Sequence, residues 1–112
     1  MEDAIRSIYA RWNAADRDGV LAAFRTLGPN GYTIEYVGND PIDGETAVDD
    51  MWKQFGGHCR TDVVELLVNG NEAAALIHNN LKQDGDVITV PSIETYSLRG
   101  GVLEVRYFHK SV

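Results

Sequence analysis

Three dipeptides, Asn69-Gly70, Asp84-Gly85 and Gly100-Gly101, cut the second half of this chain into four strand-like runs. Each is a two-residue hairpin signal. The turns that match strand twist need positive φ, and glycine supplies it without a Cβ clash. Such turns also fix register. A turn at Asn69-Gly70 pairs Leu66 with Ala73, one at Asp84-Gly85 pairs Ile77 with Ser92, and one at Gly100-Gly101 pairs Tyr96 with Val105. All three registers put Val64/Leu66/Val68, Ala73/Ala75/Ile77, Ile88/Val90 and Leu103/Val105 on one common face. Turn chemistry and hydrophobic pattern thus specify the same antiparallel meander. Pro91 is placed to add a bulge and shift parity locally.

The first half reads as helix, helix, strand, helix. Ala4, Ile5, Ile8, Tyr9 and Trp12 form one apolar helical stripe. Asp16 reads as the N-cap of a second helix carrying Val20, Leu21 and Phe24, which stops before Gly28-Pro29. Gly19 stands where a capping box would have Glu or Gln. Gly31–Val37 reads as a strand ended by Asn39-Asp40-Pro41. A third helix follows Asp43-Gly44, with Ala47, Val48, Met51, Trp52 and Phe55 as its stripe and Gly56-Gly57 as its stop. The expectation is a single α+β domain over residues 1–112. Three N-terminal helices close a strongly curved, mainly antiparallel sheet into a cone-shaped barrel with a cavity inside.

Composition narrows the partners. The net charge is −7 and the ten basic residues are scattered, which disfavours nucleic acid and anionic membranes. No stretch approaches the roughly 18 apolar residues of a spanning helix. The acidic start Met-Glu-Asp-Ala opens a helical pattern and does not read as a signal peptide. One cysteine, Cys59, allows no internal disulfide, and a cytoplasmic location is the expectation. His58, His78 and Cys59 lack metal-ligand spacing, and no nucleotide or nucleophile-elbow motif occurs. No metal and no cofactor is expected.

One residue breaks the hydrophobic pattern. Ile88, Val90, Ser92, Glu94, Tyr96 and Leu98 share a strand face, and that face is the apolar one. A carboxylate in its middle is costly unless hydrogen-bonded, paired or neutralised. Glu94 either fixes a structural hydrogen bond or faces a ligand, as a neutral acid or as a base. The Gly100-Gly101 register sets Glu94 opposite Tyr107 and Ser92 opposite His109. Candidate catalytic residues are therefore Glu94, Tyr107, His109 and Tyr36. Candidate substrate-binding residues are Trp12, Met51, Trp52, Phe55, Ile77, Asn79, Ser92 and Val105.

Residues 5–19, Pro41–Val48, Ser92–Tyr96 and Gly101–His109 together resemble SnoaL-like polyketide cyclases and ketosteroid isomerases, members of the nuclear transport factor 2-like superfamily. The resemblance covers nearly the whole chain and implies that fold. Ketosteroid isomerases hold a carbonyl with an acid kept neutral by its apolar site, and Glu94 matches that acid. Tyr36 occupies the position of their general base. Ile8 occupies that of their oxyanion tyrosine, with Tyr9 one residue away and pointing elsewhere. The arginine–aspartate arrangement of limonene epoxide hydrolases is not apparent, because Arg106 has the opposite parity to Tyr107.

The expected function is acid/base chemistry (cyclisation, isomerisation or dehydration) on a largely apolar carbonyl compound in an internal cavity. The alternative is a non-catalytic ligand-binding or scaffold domain. The resemblance also implies a homodimer, and Leu76, Ile93, Val102 and Phe108 on the outer sheet face would pair the two sheets.

Overall fold

Two aspartates start two of the three helices. In the computed structural model, which describes residues 1–110, Asp16 accepts from the Gly19 N–H at 2.9 Å and Asp43 accepts from the Thr46 N–H at 3.1 Å. They cap α2 (Arg17–Leu27) and α3 (Gly44–Phe55); α1 spans Glu2–Asn13. The absence of a capping-box side chain at Gly19 has a steric reason, since a Cβ there would lie 2.2 Å from Asp16 Oδ2.

The strands are β1 (Tyr32–Tyr36), β2 (Ile42–Asp43), β3 (Cys59–Asn69), β4 (Glu72–Gln83), β5 (Asp86–Arg99) and β6 (Val102–His109). They form one sheet in the order β2-β1-β6-β5-β4-β3. β1 runs parallel to β6, and every other pair is antiparallel. The helices pack on the face carrying Ala75, Ile77, Tyr96, Leu103 and Val105, all nearly or fully buried with Ile5, Phe24 and Val48. The expected α+β architecture of three helices on a mainly antiparallel sheet is therefore present. The sequence did not disclose the short strand β2 or the parallel pairing of β1 with β6.

Two of the three registers are as read from the turns: Ile77 faces Ser92 and Tyr96 faces Val105. Asp84, Gly85, Gly100 and Gly101 all take positive φ, as two-residue hairpins of this kind require. The first turn is different. Leu66 pairs with Ala75, not Ala73, and Asn69 pairs with Glu72, so the turn residues are Gly70-Asn71. Gly70 (φ 62°) occupies the first central position, which a II′ turn reserves for glycine. A shift of two residues preserves facing, so the pattern could not reveal it.

A bulge corrects the other half of β3. Val63 pairs with Ile77 and Glu65 with Leu76, which leaves Val64 unpaired and 48% exposed instead of inward. Thr61 is buried in consequence, and Val63 is partly buried. Pro91 adds no bulge; the β4–β5 register runs through His78–Pro91 unbroken. Ile88 and Val90 keep the inward parity but are exposed, because the β4–β5 hairpin extends past the helical layer. No helix of the described residues is long and apolar enough to cross a membrane.

Candidate functional site

Glu94 sits on β5 between Ala75 of β4 and Tyr107 of β6, on the face covered by helices, and is 8% exposed. Two donors reach its carboxylate. The Tyr9 hydroxyl donates to Oε1 at 2.6 Å, and Ser92 Oγ donates to Oε2 at 2.9 Å. Behind Tyr9, the Tyr96 hydroxyl lies 2.6 Å from the Tyr9 oxygen. The one proton of Tyr9 is given to Glu94, so Tyr96 is the donor in that contact.

Behind Ser92, Asn79 Nδ2 is 2.9 Å from Ser92 Oγ and 3.0 Å from the Val90 carbonyl oxygen. A carbonyl only accepts, so the nitrogen end of the Asn79 amide faces Val90. It therefore donates to Ser92 too, and the Ser92 hydrogen goes to Glu94. Both branches, Tyr96–Tyr9 and Asn79–Ser92, run as donors toward one carboxylate. A protonated Glu94 would have to point its own hydrogen into the cavity or turn one branch around.

Burial opposes this. It pushes the Glu94 pKa up, while the bonds from Tyr9 and Ser92 pull it down, and the balance lies above the ordinary carboxylate value. The result is a stronger base than a carboxylate in water. Burial first, and the Glu94 charge second, raise the phenols around it: Tyr107 and Tyr96 well above the usual value, and Tyr36 to about 12. These tyrosines stay protonated at neutral pH and act as hydrogen-bond donors.

A cavity of about 280 Å³ adjoins the carboxylate, between the helices and the sheet. Of the candidate residues, Glu94, Tyr107, His109 and Tyr36 all line it, as do Trp12, Met51, Phe55, Asn79 and Ser92. Trp52, Ile77 and Val105 do not. Ile77 and Val105 are sealed in the core beneath it, and Trp52 packs edge-on against Trp12 with ring centroids 5.2 Å apart. His109, Phe55 and Val90 are exposed, so the cavity meets solvent there. The His109 ring stacks on Tyr36 at 5.4 Å, and Tyr36 meets Tyr107 edge-on at 5.5 Å. Neither Tyr107 nor Tyr36 gives its hydroxyl to a described residue, so both remain available to a bound oxygen. Arg106 points outward, as parity required, bonding Glu35 and lying over Phe108. Among the described residues, no arginine, lysine or aspartate lines the cavity.

The reading of Tyr9 needs correction. It does not point elsewhere; it is the nearest partner of Glu94. Ile8 and Tyr9 are successive helical residues, and a stripe wider than about 100° buries both. The signal available was Tyr9's own place in the apolar stripe, because a buried tyrosine needs a partner for its hydroxyl. Phe24, Val20, Leu81 and Thr61, also in the lining, carried no distinguishing signal.

Three helices on a six-stranded mixed sheet, with a cavity between the layers, are the nuclear transport factor 2-like fold. The chain belongs to the SnoaL-like domain family, whose model matches residues 5–104. Among solved structures it is similar to a protein from Jannaschia sp. CCS1 provisionally assigned as a SnoaL-like polyketide cyclase. That match has 21% identity over 95% of this chain and 82% of the other, with a TM-score of 0.76. It is also similar to SalBIII, an epoxide hydrolase/cyclase-like enzyme of pyran ring formation in the polyether salinomycin, with 16% identity, 97% and 89% coverage and a TM-score of 0.76. An LEH-like epoxide hydrolase of M. tuberculosis matches at 13% identity, 96% and 80% coverage and a TM-score of 0.71. No curated protein matches the sequence.

Proposed function

We propose that this domain is a small-molecule enzyme of the SnoaL-like type, in which Glu94 moves a proton on a largely apolar carbonyl compound. The observation that carries this reading is the convergence of two hydrogen-bond branches on one buried carboxylate at the wall of a cavity. That arrangement supports a base.

The chemistry follows from the groups present. The Glu94 carboxylate takes a proton from the carbon next to the carbonyl. The electron pair of that C–H bond moves into the carbonyl, and its oxygen gains charge. Tyr107 and Tyr36 donate hydrogen bonds to that oxygen, at a place where water is scarce and donors count for more. Glu94, now a carboxylic acid, returns the proton to the same carbon or another one. Return to the far carbon of a conjugated dienolate, formed from a β,γ-unsaturated ketone, is isomerisation. Attack of the enolate on a second carbonyl, whose oxygen becomes a hydroxyl by taking the proton from Glu94, is cyclisation. Loss of a β-hydroxyl, which leaves as water with that proton, is dehydration. Each uses the same first step and none needs a cofactor. The lack of arginine and aspartate in the lining counts against the arginine–aspartate route to epoxide opening.

The size of the cavity gives the scale of the part of a substrate it can hold. An apolar cavity of roughly 150 Å³ accepts benzene, and this one is nearly twice that, which suits a two-ring compound. The test is deuterium uptake at the carbon next to the carbonyl of 2-tetralone, followed by proton NMR in heavy water. The protein should accelerate uptake over buffer, and Glu94→Gln should return it to the buffer rate while the circular dichroism spectrum stays native. Binding of the ketone without acceleration would favour a ligand-binding domain. That alternative draws on both Glu94 oxygens being engaged by intramolecular hydrogen bonds.

A further inference from the structure

Resting on the reading of this cavity as a ligand site, we infer that Asn79 selects substrates bearing a hydroxyl or N–H group at the end remote from the reacting carbonyl. The argument is a count of hydrogen-bonding capacity. The Asn79 amide has two N–H donors and one acceptor oxygen. Both donors are spent, one on the Val90 carbonyl and one on Ser92 Oγ. The Val90 contact fixes the amide orientation, since two oxygens could not face each other there. The Oδ1 atom takes no hydrogen bond from any described residue, and Asn79 lines the cavity. The group Asn79 offers a ligand is therefore an acceptor alone.

The two free hydroxyls of the lining serve the carbonyl end in the opposite sense. Tyr107 and Tyr36 are donors, held protonated by burial. They lie on β6 and β1, with β5 between them and the β4 strand of Asn79. Tyr107 on β6 is two strands from Asn79, about 10 Å across the sheet. Asn79 pairs with Val90, whereas Tyr107 pairs with Glu94, so the two are also displaced along the strands. The donor end binds a carbonyl oxygen beside Glu94. The acceptor end binds a hydrogen-bond donor at the far side of the same molecule. A compound bringing an ether or a second carbonyl to Asn79 would set oxygen against oxygen.

Three probes of one skeleton test this: 6-hydroxy-2-acetonaphthone, its 6-methoxy ether, and unsubstituted 2-acetonaphthone, with dissociation constants from titration calorimetry. One neutral hydrogen bond contributes about 1 kcal/mol, so the hydroxyl compound should bind roughly fivefold more tightly than either other probe. Asn79→Leu should erase that preference. Ser92→Ala should keep it, because the bond to Val90 still holds the amide in place. Equal affinity of the wild-type protein for all three probes would overturn the inference and leave the cavity reading intact, as would a preference that survives in Asn79→Leu. Failure of the wild-type protein to bind any probe would overturn both.

Discussion

The Tyr9 hydroxyl and Glu94 Oε1 meet at 2.6 Å across 85 positions of sequence, joining the first helix to the fifth strand inside the core. This bond, backed by Tyr96, holds one side of the carboxylate while Ser92 holds the other. Tyr9→Phe removes a donor from Glu94 and leaves the Tyr96 hydroxyl without its acceptor. The expected cost is about 1–3 kcal/mol of unfolding free energy, read by urea denaturation. The Glu94 pKa should also rise, because a bond that favours its charged form is gone. A carboxyl-labelled NMR titration reads that shift, and an unchanged midpoint would mean that Tyr9 only fills space.

The buried carboxylate gives stability a pH dependence of known sign. Burial raises the Glu94 pKa in the folded protein above its value in the unfolded chain. Between those two values the folded state holds more protons than the unfolded one. Stability contributed by this group therefore falls as pH rises through that window, and the loss is complete above the folded pKa. Glu94→Gln lacks this dependence. Its melting temperature minus that of the wild type should climb from about pH 4, where unfolded glutamate titrates, and level off above the folded pKa. A difference that stays flat over the range contradicts a raised pKa.

The legible and illegible parts of this structure divide along physical lines. Period and turn chemistry are local, and they specified the helical stripes, the Asp16 cap, the start of the third helix after Asp43-Gly44, two hairpin registers and the inward parity of Glu94. The bulge at Val64 escaped, because Val63 and Val64 are both valines and either suits an inward position equally. The Gly70-Asn71 turn escaped because a two-residue shift leaves every side chain on its own face. The parallel β1–β6 pairing joins strands far apart in sequence with no hairpin to announce it. In the site, strand parity found the residues on β5 and β6. It could not rank Tyr9 above Ile8, since both belong to one buried stripe of α1. Nor could it separate Asn79, at the cavity wall, from Ile77, two residues along the same face and under the floor.

Tyr107 tests the donor end of the proposed reaction. Its ring is buried, and its hydroxyl serves no described residue. Tyr107→Phe should leave the fold nearly unchanged while slowing deuterium uptake by roughly tenfold or more, as loss of a donor to a developing oxyanion does. Uptake by the wild type should also rise with pH through the Glu94 pKa and then level off, because only the carboxylate is a base. An uptake rate insensitive to Tyr107→Phe removes that hydroxyl from the scheme.

The outer face of the sheet makes the last prediction. Ile93 is 49% exposed, Val102 42% and Phe108 36%; Ile93 and Phe108 are direct cross-strand partners and Val102 lies further along β6. Leu76 pairs with Ile93 from β4 and is partly covered. Leu76, Ile93 and Phe108 occupy adjacent register positions and form a continuous patch apart from Val102, and contiguous patches on a sheet face mark contact surfaces more often than scattered residues do. A second copy of the domain, packing sheet to sheet, would bury it. Ile93→Lys puts a charge at the patch centre and touches nothing in the core. Light scattering should then find the wild type at twice the chain mass and the variant at the chain mass, with its helices, cavity and ketone binding retained. A wild type that runs as a monomer at all concentrations, or a variant that stays dimeric, assigns the interface elsewhere or removes it.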